Sequence, residues 1–530
     1  MEVSVIGKCQ AKIAGADFVG REFGFFNSKV DSKILLSKIC FMRSSRCERS
    51  RIRLSTKSVQ MEPIQSQNVD VGRRSKSLEG VKLYVGLPLD AVSPCNAGNH
   101  SRAIAAGLKA LKLLGVEGVE LPVWWGIVEN ETMGKYEWSG YLALAEMVRN
   151  ADLKLHVSFC FHASNQPRIP LPEWISKIGE SKPNVYFTDR CRQQYKDCLS
   201  LSVDNLPVLN GKTPIQVYRE FCESFKSSFS KFFDCTISGI SMSLGPDGEL
   251  RYPSQRRLES HGVGEFQCYD ENMLSILKQH AEASRNPLYG LGGPHDAPSY
   301  NETPNSNNFF KDLDGSWESH YGDFFLSWYS AELIAHGDRL LSLASSVFRN
   351  TKASIHGKVP LMHSWYKTRS HPSELTAGYY NTSNRDGYEA VAEMFARNSS
   401  KMILPGMDLS DQPHPQELLS SPESLIAQIK SASRKHGVIL SGQNSSNSEA
   451  PRNFDRIKKN LEGESLELFT YQRMGAYFFS PEHFPSFAEF VRSVHQLELH
   501  SDDLPIDGEE EDTAETPCAS PMSEAQMQAA

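Results

Sequence analysis

A carboxyl group set among glycines at the end of an apolar run is the first feature of this chain able to do chemistry. Glu249 stands in Gly245-Pro246-Asp247-Gly248-Glu249-Leu250-Arg251-Tyr252-Pro253-Ser254, directly after the stretch 239–244, GISMSL. The glycines permit close backbone approach and the following Arg and Tyr supply polar neighbours, which suits a general acid in a sugar cleft. On spacing alone a plainer reading is favoured, in which Glu249 lies in a surface loop and pairs with a nearby Arg or Lys. Eleven cysteines are scattered singly, with no CxxC pair or zinc-type spacing. They read as reduced thiols, and neither a structural metal nor a disulfide framework is expected.

A general acid needs a scaffold that holds it at a cleft. Short β-branched or apolar runs at 81–87, 118–123, 153–159, 239–244, 353–362, 401–404, 437–440 and 466–470 read as eight strands. Helical patterns occupy 102–114, 140–151, 218–233, 272–283, 324–348, 386–396, 422–435 and, after the last strand, 485–497. Repeated βα order requires a parallel sheet with crossover helices, and eight units with long insertions indicate a closed (β/α)8 TIM barrel. Functional groups then belong at the C-terminal ends of the strands, and long loops such as 286–316 build the cleft.

The length of 530 residues fits one large α/β domain with tails. Hydrophobic and charged contents of 39% and 23% lie near the globular average, and no apolar run is long enough for a membrane span, so no membrane partner is expected. The net charge of −8 hides a division: residues 1–76 hold 15 Lys+Arg against 7 Asp+Glu, which leaves −16 on residues 77–530. An acidic body repels phosphate backbones, so no nucleic-acid partner is expected of the fold. Residues 1–76 carry the cluster Arg43, Arg46, Arg49, Arg51, Arg53 among serines and lack an apolar signal region. They read first as an organellar transit peptide with a basic linker, next as a plain basic tail, and last as a nucleic-acid arm. Residues 501–530 contain nine acids and no Lys or Arg, so 500–530 reads as a solvated acidic tail, leaving 77–499 for the barrel.

GPDGELRYPS resembles the catalytic-acid motif of plant β-amylases, inverting exo-hydrolases that release maltose from starch chain ends. Phe266-Gln267-Cys268-Tyr269 within GEFQCYD, FFLSWYS at 324–330, ELTAGYYN at 374–381 and VWWG at 123–126 extend the resemblance over residues 80–497. It implies the same barrel, no cofactor, and Glu249 as proton donor. An inverting glycosidase uses two carboxyl groups roughly 6.5–9.5 Å apart, one protonated and one ionised. The family's base lies in a Gly-Glu-Asn motif after the seventh strand, and the corresponding segment here reads Gly442-Gln443-Asn444. An amide can orient a water but cannot take its proton near neutral pH, and losing a general base costs about 10²–10⁴ in rate. Three further departures agree. The interval between His162 and Trp174 is too short for the family's mobile lid, Pro122 replaces an Asp before the paired tryptophans, and Pro405 replaces a Thr of the inner loop. Ser446 also stands where a Leu follows the base. Asp408, in the inner loop, matches an acidic residue other than the base and is not expected to replace it.

The resemblance places His162, Lys358, His363, Asn444 and Arg473 where the family contacts sugar or supports the carboxylates. Each has an ordinary structural alternative, a polar group satisfied in a barrel mouth. Trp124, Trp125, Trp328 and Trp365 offer sugar-stacking faces or core packing. Together these features point to a catalytically inactive β-amylase homologue of the plastid stroma, acting by binding or regulation in starch degradation, with α-glucan or starch-degrading enzymes as partners. An active α-1,4-glucan maltohydrolase is the alternative that the retained acid allows. A nuclear transcriptional regulator is a further one, because some relatives join this barrel to a DNA-binding region, and the basic N-terminal stretch is its only support.

Overall fold

Every residue of the strand Gly118–Trp124 is buried, as a parallel strand covered on both faces requires. It is the second of eight strands, β1 Lys82–Gly86, β2 Gly118–Trp124, β3 Lys154–Cys160, β4 Ile237–Met242, β5 Ser354–Lys358, β6 Lys401–Leu404, β7 Leu440–Gln443 and β8 Leu466–Tyr471. They pair in parallel in sequence order, and β8 closes on β1, which is the expected (β/α)8 barrel. The computed structural model describes residues 80–255, 262–412, 416–445, 453–462 and 466–495. The chain divides into two units, Met1–Gly72 and Arg73–Ala530, and all described residues belong to the second. The transit-peptide reading, the acidic tail and Ser446 lie outside the described residues.

Eight helices cover the sheet, α1 Ser101–Leu113, α2 Ser139–Asn150, α3 Pro214–Ser228, α4 His320–Phe348, α5 Tyr388–Arg397, α6 Pro422–Lys435, α7 Phe454–Leu461 and α8 Phe484–His495. In α1 the buried residues Ile104, Gly107, Leu108 and Leu111 form one stripe at helical spacing. In α3, Thr213 accepts from the Gln216 amide while the Gln216 side chain accepts from the Thr213 N–H, and Pro214 occupies the first turn. That capping box starts the helix four residues before the expected 218. Further helices, among them Glu173–Ser181 and Glu271–Ala283, belong to the loop insertions. No helix among the described residues is long and apolar enough to cross a membrane, and the seven described cysteines are free thiols.

Three expectations shift. The seventh strand was expected at 437–440, but Gly437 has φ 68° and ends α6 in the left-handed region that glycine enters freely. The strand therefore begins at Leu440, and Gln443 is its last residue instead of lying beyond it. β5 stops at Lys358 instead of 362, because Pro360 has no N–H to continue a ladder. Helix α7 was not anticipated; Asn453 caps it by accepting from the Arg456 amide, and it buries Ile457 and Leu461.

Inward positions of this barrel are polar where bulky branched residues usually pack. The His156 Nε2 lies 2.7 Å from the Ser241 hydroxyl. His356 bonds Ser354 at 2.8 Å and Ser441 at 3.3 Å, and the two imidazoles meet edge to face at 4.6 Å. Gly239 makes the room, since a Cβ there would sit 2.6 Å from His156 Nδ1. Burial pushes the His156 pKa down to about 4, the nearby Glu120 opposing it, and holds His356 well below the ordinary range, so both rings are neutral near pH 7.

Candidate active site

The Glu249 loop begins where β4 ends. Asp247 and Gly248 have φ of 53° and 77°, and Gly245 has φ 152°, with room for a Cβ only 2.7 Å from the Glu249 carbonyl. The two glycines are therefore required to turn the chain back toward β5. There Glu249 pairs with Lys358 in a parallel bridge, and the Leu250 N–H donates to the Lys358 carbonyl at 2.8 Å. The Glu249 side chain is mostly buried, with Lys358 Nζ 3.1 Å from one oxygen and Arg251 Nε 2.9 Å from the other. Arg251 also holds Asp247. The strand-exit carboxyl and the ion-paired carboxyl suggested by the sequence are thus the same group. His162 completes this side. Its ring lies edge-on to Trp124 at 5.3 Å and faces Gly248, and burial depresses its pKa with Asp247 partly offsetting the effect.

The strings that carry the resemblance form the wall behind this loop. Tyr252 stacks on Tyr329 at 3.8 Å and donates to its carbonyl at 3.0 Å. The Tyr329 hydroxyl donates to Thr376 O and accepts from Gln267 N. The Tyr379 hydroxyl donates to Leu250 O at 2.7 Å. GELRYPS, FQCY, LSWY and ELTAGYY therefore meet at one place and hold the Glu249 backbone from behind.

Gln443 ends β7, three strands round the ring from β4, and therefore lies on the far side of the mouth. It is buried at 6% exposure, and its carbonyl accepts from the Met407 N–H at 2.9 Å. Among the described residues the carboxylate of the same rim is Asp408. Its two oxygens accept from the N–H and the hydroxyl of Ser445, at 2.6 and 2.7 Å, so it is turned onto the segment after β7. Asn444 grips the neighbouring strand, donating to Gln472 O at 2.9 Å and accepting from Gln472 N at 2.7 Å. Arg473 is half-buried, feels the charge of Glu120, and donates to Leu87 O at 2.6 Å. Desolvation would raise the Glu120 carboxyl, but Arg473, Ser158, His156 and Gln472 outweigh it and hold the pKa below the ordinary range.

The fold thus brings Glu249, Lys358 and His162 together on one side, and Gln443, Asn444 and Arg473 on the other. His363 stands apart, its Nδ1 2.7 Å from the Ser420 hydroxyl. All four candidate tryptophans are core: Trp124 and Trp125 are 3% and 0% exposed, Trp328 and Trp365 1% and 6%. The short interval after His162 forms a tight hairpin, Ser164–Asn165 against Arg168–Ile169. Pro122 sits in β2 beyond the last residue paired with β1, Glu120, where one neighbour alone requires ladder hydrogen bonds. Asp189, Cys191 and Glu265 approach as metal ligands do, but Gln193 N, Tyr300 and Arg190 N already donate to the two carboxylates.

The sequence profile of glycosyl hydrolase family 14 matches residues 84–498. The chain belongs to glycosyl hydrolase family 14. It is 58% identical over 520 residues to inactive beta-amylase 9 of Arabidopsis thaliana, covering 96% of this chain and 97% of that protein. It is 40% identical to chloroplastic beta-amylase 2 of Oryza sativa subsp. japonica over 81% of this chain and 80% of that one. The crystal structure of the beta-amylase catalytic domain from Paenibacillus polymyxa superposes with a TM-score of 0.66 at 24% identity, covering 79% of this chain and 99% of that chain, so the fold is shared. Two features of this family 14 barrel escaped the sequence reading. The pairing of Glu120 with Arg473 joins residues more than 350 positions apart and leaves no local spacing to find. The histidine pair had a signal, because His156 and His356 each interrupt an apolar strand.

Proposed function

We propose that this protein is a catalytically silent β-amylase homologue that acts through binding or regulation in plastid starch degradation. The observation that carries the reading is Gln443 at the end of β7, with Asp408, the carboxylate beside it, held on Ser445. Gln443 itself offers a water between it and Glu249 no ionised group to take its proton. The hairpin after β3 is too short to fold over a bound sugar, and a site without such a cover stabilises a reacting sugar less well. Glu249 keeps the proton-donor position, while Lys358 and His162 remain beside it as glucan-contacting groups. Asn444 and Arg473 act by holding the rim in place, and His363 by anchoring the segment before α6. α-Glucan is the ligand class this mouth fits, and an active starch-degrading enzyme is the partner class through which a silent barrel would influence starch breakdown. The relatives named chloroplastic support a plastid location.

The competing reading is an active maltohydrolase, which Glu249 and the 40% identity to chloroplastic β-amylases favour. Maltose release from soluble starch by the purified chain separates the two. Silence is expected; a rate comparable with an active chloroplastic β-amylase would overturn the proposal.

A further inference from the structure

The hairpin that follows β3 has built something in place of a lid. A cavity of about 240 Å³ opens between it, the helix Glu173–Ser181 and the second hairpin, Tyr186–Thr188 with Gln194–Leu199. The Ala163 N–H donates to Asp197 O at 2.7 Å and pins the two hairpins together. Tyr186 is buried and its ring lies flat against Gly179, where a Cβ would fall 2.3 Å from the ring, so this wall is rigid and its closeness needs a glycine. Asn165, Arg168, Glu180, Lys196 and Asp197 supply the polar lining. Asp197 is half-buried, faces Asn165, and feels the charges of Asp247 and His162, so the cavity shares a flank with the barrel mouth.

The size limits the occupant. Cavities for drug-sized ligands run to about 300–1,000 Å³, so this one has the size of a single sugar ring. A carboxylate beside an amide offers acceptors and donors to adjacent ring hydroxyls. Arg168 and Lys196 are exposed and have no ion pair among the described residues, which leaves two cations available for an anionic substituent.

We propose that this cavity binds a hexose monophosphate, the phosphate between Arg168 and Lys196 and the ring hydroxyls on Asn165, Asp197 and Glu180. The site is separate from glucan binding at the mouth, and either can fail without the other. A silent barrel that binds a small phosphorylated sugar beside its mouth reports the level of a soluble carbohydrate, a role that requires no turnover.

Isothermal titration of the full-length protein with glucose 6-phosphate, glucose 1-phosphate, glucose and inorganic phosphate tests it. One phosphate ester should bind at least tenfold more tightly than glucose or phosphate alone. Arg168→Gln and Lys196→Gln, which lie on different hairpins, should each weaken it about ten- to hundredfold, with thermal unfolding unchanged. Equal binding of glucose, equal binding of inorganic phosphate, no binding at millimolar concentration, or unaltered affinity in both variants would each overturn the assignment. So would displacement of the ester by a long maltooligosaccharide, which would place it in the barrel mouth.

Discussion

Acidification should weaken this barrel through a group that lies far from any surface charge. His156 is neutral in the folded protein, with burial lowering its pKa from 6.5 to about 4. Between those values the unfolded chain binds a proton that the folded chain refuses. Stability is therefore fully present above pH 6.5 and is lost as pH falls toward 4. A gap of roughly 2.5 pH units corresponds to about 3 kcal/mol. The neighbouring groups do not cancel this. His356 is shifted in the same direction and adds to the slope. Glu120 is held below its ordinary 4.5, so its own loss falls at lower pH. Urea unfolding of wild type and His156→Gln, followed by tryptophan fluorescence from pH 7.5 to 4.5, isolates the contribution. The substitution should lower stability at pH 7.5 by removing the Ser241 hydrogen bond while flattening the slope below pH 6.5. Parallel curves for the two proteins would refute the assignment of a neutral, proton-excluding imidazole.

Other perturbations have equally definite outcomes. Gln443→Glu should leave maltose release at least about 100-fold below an active β-amylase, because the lid and the residues at Pro122 and Pro405 are still missing; full recovery in that single variant would show that the amide alone silences the chain. Arg473→Met should lower the urea midpoint at pH 7, because it removes the charge that most offsets the burial of Glu120; an unchanged midpoint would mean that Ser158 and Gln472 suffice to hold the carboxylate. Gly239→Ala, with its Cβ 2.6 Å from His156 Nδ1, should cost about 1–3 kcal/mol through overpacking, and an unchanged melting temperature would show that the imidazole moves aside freely.

The barrel was legible because its strands are nearly continuous apolar runs separated by amphipathic helices, and that pattern depends only on which faces are buried. Boundaries were less legible where one residue type serves two purposes. Gly437 opens an apolar GVIL run, yet its positive φ makes it the end of α6 and moves the whole of β7 toward Gln443. Helix α7 has eight residues, and its buried stripe of Ile457, Asn460 and Leu461 spans little more than one turn. At the site, Glu249 and Gln443 were both picked out by the motifs around them, since the glycines beside Glu249 alone did not separate an acid from a surface loop. The work assigned to Asn444 and Arg473 was not, because their partners, Gln472 and Glu120, are brought to them by closure of the ring. The tryptophans left both readings open for a simple reason: a large flat ring serves a sugar and a core equally well, and depth, which places all four in the core, decides.

The tyrosines behind the Glu249 loop outlast whatever happens in front of it. Tyr252, Tyr329 and Tyr379 join the loop to α4 and to the segment after β5, so discarding the acid's seat would loosen the mortar between all three. A lineage that abandons hydrolysis can change one side chain at the rim at little expense, but it must keep the masonry that once aimed its partner. The acid then survives as a fossil of construction, and its presence says more about what the wall must bear than about what the protein does.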